Sequence, residues 1–208
     1  METRGELLDR EKIERNKKLD TLRETEGWVK LSGEQRKKIE MSFFVNQRAD
    51  RESDENYLLS GSQIRNVYCH LAVASLESEG VNLGDIRLKD KDFFDAEYNE
   101  AGSVDELIDR LNRFGYPCVV HLKSPPYGNS KGYVAHSFLV LGKDDKGDIV
   151  VWEKNAPRKK YQVESLKVTF EANKGWNWRE TQEKPMIYGI RKLRDDDGVE
   201  IETVKAKD

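Results

Sequence analysis

The chain has 208 residues, 37% of them hydrophobic and 36% charged, enough for one main domain with its own core and a very polar exterior. Its 36 basic and 39 acidic residues are intermixed to a formal net charge of −3, so it lacks the single-sign field that binds nucleic acid. No stretch approaches the ~18 apolar residues of a membrane span, and the N-terminus lacks the basic-then-apolar pattern of a secretory signal, so a cytoplasmic location follows by default, non-standard secretion aside. In that setting Cys69 and Cys118 are expected as thiols.

Residues 4 to 25 are rich in Glu, Arg, Lys and Leu, with Leu7, Leu8, Ile13, Leu19 and Leu22 at loose helical spacing. One or two charged helices are expected there. Ser32 is the expected cap of a further helix that carries the run Arg36-Lys37-Lys38, a short basic patch between Glu34 and Glu40 that suits a solvated face. Residues 47–56 are almost wholly polar and read as a linker. The core is expected to begin at Tyr57. Cys69 to Ser78 reads as a helix of small and apolar residues with Gly80 as its C′ residue. Ser103 and Glu106 form a capping box at the start of a second core helix, whose buried face is Leu107, Ile108 and Leu111 and whose stop is Gly115. Pro117 to Leu122 is a strand, followed by a Pro- and Gly-rich loop. Tyr133 to Gly142 and Ile149 to Lys154 form a hairpin around Lys143–Asp148. Further strands are expected over Val163 to Phe170 and Met186 to Lys192. Helices first and a mostly antiparallel sheet after them is an α+β order.

A cysteine nucleophile needs its thiolate, a nearby imidazole, a group that orients the imidazole, and donors for an oxyanion. Cys69 begins a core helix, where backbone N–H groups and the macrodipole favour a thiolate, although a lone helical cysteine is more often a small buried residue. His136 lies early in a strand, after a Gly- and Pro-rich loop, and therefore near the rim of the sheet. Pairing Gly142 with Ile149 and carrying that register along the hairpin sets His136 opposite Asn155, within about 4.5–5.5 Å between Cβ atoms. Asn155 there accepts the imidazole N–H and fixes its tautomer. A one-residue slip makes Glu153 or Asp148 the partner instead. Gln63, six residues before Cys69 in a Ser- and Gly-flanked loop, can supply an amide to the oxyanion beside the Cys69 backbone N–H. His70 points about 100° away from Cys69 on a helix and is read as structural. Cys118 and His121, three apart on a strand, fall on opposite faces and cannot share a metal. Two cysteines and three histidines leave no zinc pattern, and there is no Gly-rich phosphate loop, so no metal or cofactor is expected. Trp152, Trp176 and Trp178 fit core closure better than a substrate cleft.

Gln63, five residues, Cys69 leading into a helix, His136 early in a strand and Asn155 at the end of the next strand resemble the papain-like cysteine peptidases. The segments "SVDELIDRLNRFGYPCVVHL" and "AHSFLVLGKDDKGDIVVWEKNAP" look like the bacterial peptidases that cut double-glycine leaders and their stand-alone relatives. The resemblance covers roughly residues 57 to 170, about half the chain. It departs at His70 and Leu71, where those relatives have Gly after the nucleophile or an aromatic a little later, and at Asn-Ala-Pro in place of Asp-Pro.

The resemblance implies a papain-like α+β fold with this division: residues 1–46 a charged helical extension, 47–56 a linker, 57–192 the catalytic domain and 193–208 a charged tail. It implies a thiol hydrolase, a cysteine peptidase acting on a peptide or isopeptide bond of a peptide or protein substrate, through Cys69, His136, Asn155 and Gln63. The alternatives are an acyltransferase of the same fold and an inactive binding module that uses the N-terminal helices as its partner surface. A related expectation is that residues 1 to 45 cover the cleft as an inhibitory segment.

Overall fold

A computed structural model describes residues 3–49, 68–77, 91–123, 134–154, 161–173 and 186–206. Helix α1 (Arg4–Glu24) starts at a capping box, with Thr3 Oγ1 accepting from the Glu6 N–H and the Glu6 carboxylate accepting from the Thr3 N–H at 2.8 Å. Only its second half carries apolar residues inward: Leu19 and Leu22 are buried, while Leu7, Leu8 and Ile13 are exposed. A short 3-10 turn, Trp28–Lys30, leads to α2 (Gly33–Ala49), which runs into the first residues of the segment read as a linker. Ser32 caps α2 as expected: its Oγ accepts from the Gln35 N–H at 3.1 Å, and its own N–H donates to Gln35 Oε1 at 3.0 Å. The other end of the Gln35 amide reaches further, donating to the carbonyls of Leu76 and Arg194 at 3.0 and 2.9 Å. Leu76 closes α3 (Tyr68–Leu76), so one side chain both caps its own helix and satisfies an orphan carbonyl of the next.

After a 3-10 turn at Lys91–Phe94 and strand β1 (Glu97–Ala101), neither of them foreseen, α4 (Val104–Phe114) follows. Ser103 Oγ accepts from the Glu106 N–H at 3.2 Å, but the Glu106 carboxylate takes the N–H of Gly102 and not that of Ser103. Gly115 ends the helix at φ 98°, a conformation that L side chains rarely adopt. Leu107 and Leu111 are fully buried, four residues apart on one face, each contributing about 1.5–3 kcal/mol of transfer free energy. The remaining strands are β2 (Cys118–Lys123), β3 (Val134–Lys143), β4 (Ile149–Lys154), β5 (Tyr161–Ser165) and β6 (Met186–Lys192). The expected strand at Val163–Phe170 stops at Ser165. There the Ser165 hydroxyl accepts from the Val168 N–H at 3.4 Å, and α5 (Leu166–Asn173) begins. Burial changes period with it, from alternate residues in β5 to Leu166 and Thr169, three apart.

The six strands form one antiparallel sheet in the order β1-β6-β2-β3-β4-β5. Val119, Leu139, Leu141, Val150 and Trp152 face one core, which they share with Leu19, Leu22, Trp28, Leu31, Ile39 and Phe43 of the N-terminal segment and with Ala72, Val73 and Leu76 of α3. Val120, Leu122, Phe138, Val140 and Val151 face a second core with Leu107 and Leu111 of α4 and Leu166 of α5. The architecture is thus three layers, helices on both faces of an antiparallel α+β sheet. The helices read as an extension are built into it, with the Trp152 indole donating to Ser42 Oγ at 3.1 Å and stacked on Tyr161. The segment read as a tail is tied down too: Leu193 is buried, and Tyr116 and Val204 exchange backbone hydrogen bonds at 2.8 and 2.7 Å. No described helix is long and apolar enough to cross a membrane.

The β3–β4 hairpin differs from the expected register near its turn. Lys143 pairs with Ile149 and Gly142 with Val150, one residue off, and a bulge between Val140 and Gly142 takes up the difference. Beyond it Val140 pairs with Val151 and Leu139 with Trp152, as the sequence reading has it. The bulge is filled from the N-terminal segment. The Gly27 N–H donates to the Leu141 carbonyl at 2.7 Å and the Lys143 N–H donates to the Glu26 carboxylate at 2.8 Å.

Candidate active site

Helix α3 packs on β3 and β4, which brings the first turn of α3 to the start of β3. Its first turn carries Cys69, 4% exposed, and the start of β3 carries His136, 3% exposed. The imidazole and the sulfur are close enough that each acts on the ionisation of the other. On its other side His136 Nε2 meets Glu153 Oε2 at 2.5 Å, and Glu153 is fully buried. Glu153 stands one place before the end of β4, opposite Phe138 when the Leu139–Trp152 register is continued by one pair. It is therefore the diagonal neighbour of His136 on the same face, a separation that a glutamate spans and a shorter side chain does not.

Electrostatics follow from this order. Burial on its own favours the neutral thiol, but the nearness of His136, then that of His70, outweighs it and holds the Cys69 thiol well below its ordinary 9.0. Burial likewise disfavours a charged imidazole. The Cys69 thiolate first, and the Glu153 carboxylate after it, overcome that and raise His136 to about 10. Both directions favour a thiolate beside an imidazolium, with a carboxylate behind the ring. The first turn of α3 adds its N-terminal dipole to the thiolate side. Cys118, buried in the second core with no such neighbours, is pushed the other way by burial alone. The two thiols differ in chemistry because one meets an imidazole and the other lies in an apolar core.

Of the four residues expected from sequence, the structure brings Cys69 and His136 together; Gln63 and Asn155 lie outside the described residues. So do Gly80, Trp176 and Trp178. The described partner of His136 is Glu153, the residue foreseen for a slipped register, reached diagonally with the register near the site intact. Glu153 Oε1 is buried and has no hydrogen-bond partner. An orphaned carboxylate oxygen costs about 1–3 kcal/mol, a penalty that folds carry mostly at functional sites.

The sequence did hold a signal for Glu153. It is the one acidic residue in IVVWEK, a strand whose every residue is buried, and it shares the inward face of Ile149 and Val151. His70 was read as structural because neighbouring helical residues diverge by about 100°. The divergence applies to the Cα–Cβ bonds. The ring turns to Ser137, whose Oγ lies 2.7 Å from His70 Nδ1, and its nearness still helps to lower the Cys69 thiol. Cys118 and His121 fall on opposite faces as expected, Cys118 in the second core and His121 against Phe93 and Ser137. Among the described residues no group of three or more His, Cys, Asp or Glu is placed to hold a metal ion. Comparison with protein-family models, with curated proteins and with solved structures finds no match to this chain.

Proposed function

We propose that the chain is a thiol hydrolase of papain-like type, a cysteine peptidase acting on a peptide or isopeptide bond. The observation that carries this reading is the order Cys69–His136–Glu153 at the junction of a helix start and a strand start, with charges opposed to those that burial alone would give. The Cys69 thiolate adds to a substrate carbonyl carbon, and its electron pair forms the S–C bond while the C=O π pair moves onto oxygen. The His136 imidazolium then gives its proton to the leaving amine as the C–N bond breaks, leaving an acyl-cysteine and a neutral imidazole. Neutral His136 next takes a proton from water, whose oxygen displaces the sulfur and restores the thiolate–imidazolium pair. Glu153 holds the ring in one orientation and stabilises its charged form, the part Asn155 was expected to play. The Cys69 backbone N–H, with Gln63 by its spacing in the sequence, serves the oxyanion.

The carboxylate favours one second reading. A His oriented by a carboxylate is also the arrangement expected of acyl transfer, in which an amine in place of water takes the acyl group. A single experiment separates the two. Incubating the protein with a peptide library, with and without a primary amine in excess, and reading products by mass spectrometry should give cleaved peptides that carry the amine only if acyl transfer competes. Cys69→Ser should abolish both products. Cleavage that persists in Cys69→Ser, or no product from any peptide, would count against both readings.

A further inference from the structure

Cys69 and His136 stand next to a second buried pair. His70 follows Cys69 in α3, Ser137 follows His136 in β3, and His70 Nδ1 lies 2.7 Å from Ser137 Oγ. Each neighbour is joined to its catalytic residue by one peptide unit, with about 3.8 Å between Cα atoms. The contact therefore links helix and strand at the point where the thiol has to meet the imidazole. Successive residues of a strand face opposite ways. Ser137 shares the face of Leu139 and Leu141, on which α3 packs through Ala72, Val73 and Leu76, while the His136 ring lies against Phe138 on the other face.

The hydroxyl is itself held in place. His121, the partner of Ser137 across β2 and β3, brings its Nδ1 to 2.6 Å from the same oxygen. One O–H and two lone pairs let a serine bind two rings at once, and the tie to His70 stands whichever of the two groups donates. Arg191 Nε reaches His121 Nε2 at 3.1 Å and the Phe93 carbonyl at 2.9 Å. The terminal nitrogens of Arg191 hold the Glu77 carboxylate at 2.6 and 2.8 Å, and Glu77 also accepts from the Arg194 N–H at 2.9 Å. His70, His121 and Ser137 are buried, with Phe94 edge-on to the first ring and Phe93 to the second. Helix α3 is thus fastened to the sheet at both ends, by Glu77 just past its last residue to β6 and by His70 in its first turn to β3. With the far end fixed on Arg191, the His70–Ser137 contact governs how the first turn sits over the start of β3.

We propose that Ser137 is a positioning residue: through its bond to His70 it holds the first turn of α3 in register with β3, and so sets the separation of Cys69 from His136. The inference rests on the reading of those two residues as a thiolate–imidazolium pair. It requires no contact between His70 and the sulfur, and no particular tautomer of either ring. A purely structural Ser137, filling its site and satisfying two rings, would use the same bonds. Its loss would lower the melting temperature without moving the ionisation of Cys69.

The pH profile of Cys69 alkylation by iodoacetamide separates the two, with Cys118 resolved by peptide mapping and each variant kept well below its melting temperature. At an effective dielectric constant of about 20, widening a charge pair from about 4 to about 6 Å lowers its population about tenfold. Ser137→Ala should therefore displace the profile about one pH unit towards alkaline and slow labelling about tenfold at mildly acid pH. At alkaline pH, where any thiol is ionised, its rate should rejoin that of the wild type. His70→Asn sets an amide where Nδ1 stands, able to donate or accept, and should stay within about threefold of wild type. His70→Gln carries its amide to the place of Nε2 and should behave like Ser137→Ala. An unmoved profile in Ser137→Ala, with that of His136→Ala displaced, would overturn the positioning role and leave the thiolate–imidazolium pair standing. Equal profiles in His70→Asn and His70→Gln would overturn it too. An unmoved profile in His136→Ala would overturn the reading on which the inference rests. If Ser137→Ala does not fold, His70→Asn against His70→Gln decides: a displacement in the second alone supports the brace, and equal profiles refute it.

Discussion

Replacing Glu153 by Gln removes a charge and almost no volume. The His136–Glu153 contact is 2.5 Å long between buried groups, one of them a carboxylate. A hydrogen bond to a charged group contributes about 1.5–3 kcal/mol and a neutral one about 0.5–1.5, so the exchange costs the imidazolium on the order of 1–2 kcal/mol. At about 1.4 kcal/mol per factor of ten, the thiolate–imidazolium population, and with it the alkylation rate of Cys69 at mildly acid pH, should fall roughly 5- to 30-fold. Stability should move the other way. A carboxylate in this site lies away from water beside the Cys69–His136 pair, and Glu153 Oε1 has no partner. Glu153→Gln leaves the pair neutral overall, so the melting temperature should be unchanged or raised while reactivity drops. Iodoacetamide kinetics and calorimetry on the same samples check both halves. Labelling at the wild-type rate, or a loss of reactivity that merely follows a loss of stability, would refute the assignment of Glu153 as the group that charges His136.

The pair should also shape stability against pH. The lowered Cys69 pKa contributes stability that is present above 9.0 and is lost as pH falls, whereas the raised His136 pKa contributes stability present below 6.5 and lost as pH rises through about 10. Between those ordinary values the two slopes cancel, so the difference in unfolding free energy between wild type and the Cys69→Ala, His136→Phe double variant should be flat from 6.5 to 9.0 and decline on both sides. A steady slope through that window would contradict the pairing. A Cβ on Gly27 would lie 2.5 Å from the Leu141 carbonyl oxygen and 2.9 Å from the Pro117 nitrogen, so Gly27→Ala should destabilise by about 1–3 kcal/mol, measured by urea unfolding. Deleting residues 1–43 removes Leu22, Trp28, Leu31, Ile39 and Phe43 from the core, and should abolish cooperative unfolding; the higher activity expected of a removed inhibitory cover would contradict this packing.

Legibility in the sequence depended on the range of the interaction that made each element. Ser32 with Gln35, and Ser103 with Glu106, are caps made within one turn, and both could be read from spacing alone. Burial on both faces makes β2 to β4 continuous apolar runs, which length and turn residues were enough to place. What could not be read was long-range. The bulge at Leu141 exists because Glu26 and Gly27 arrive from more than a hundred residues away to take its backbone groups. Nothing local marks it. The division into extension, domain and tail followed the distribution of charge, yet a helix with one narrow inward stripe, such as Leu19 and Leu22, docks as firmly as an apolar one. Cys69 and His136 were legible as types of residue at suitable places. Glu153 was legible only as a fallback, since its diagonal reach to His136 is a matter of side-chain geometry that register alone does not give.

The ionisation of Cys69 is the point on which everything else turns, and the ultraviolet absorbance of its thiolate reports it without a substrate. The difference spectrum of wild type minus Cys69→Ser, followed from acid to alkaline pH, should show one thiolate already present at neutral pH and lost only well into the acid range, with His136→Ala moving its appearance to alkaline pH. A thiolate that appears in the wild-type protein only as pH rises through 9.0, the ordinary value for a thiol, would contradict the account.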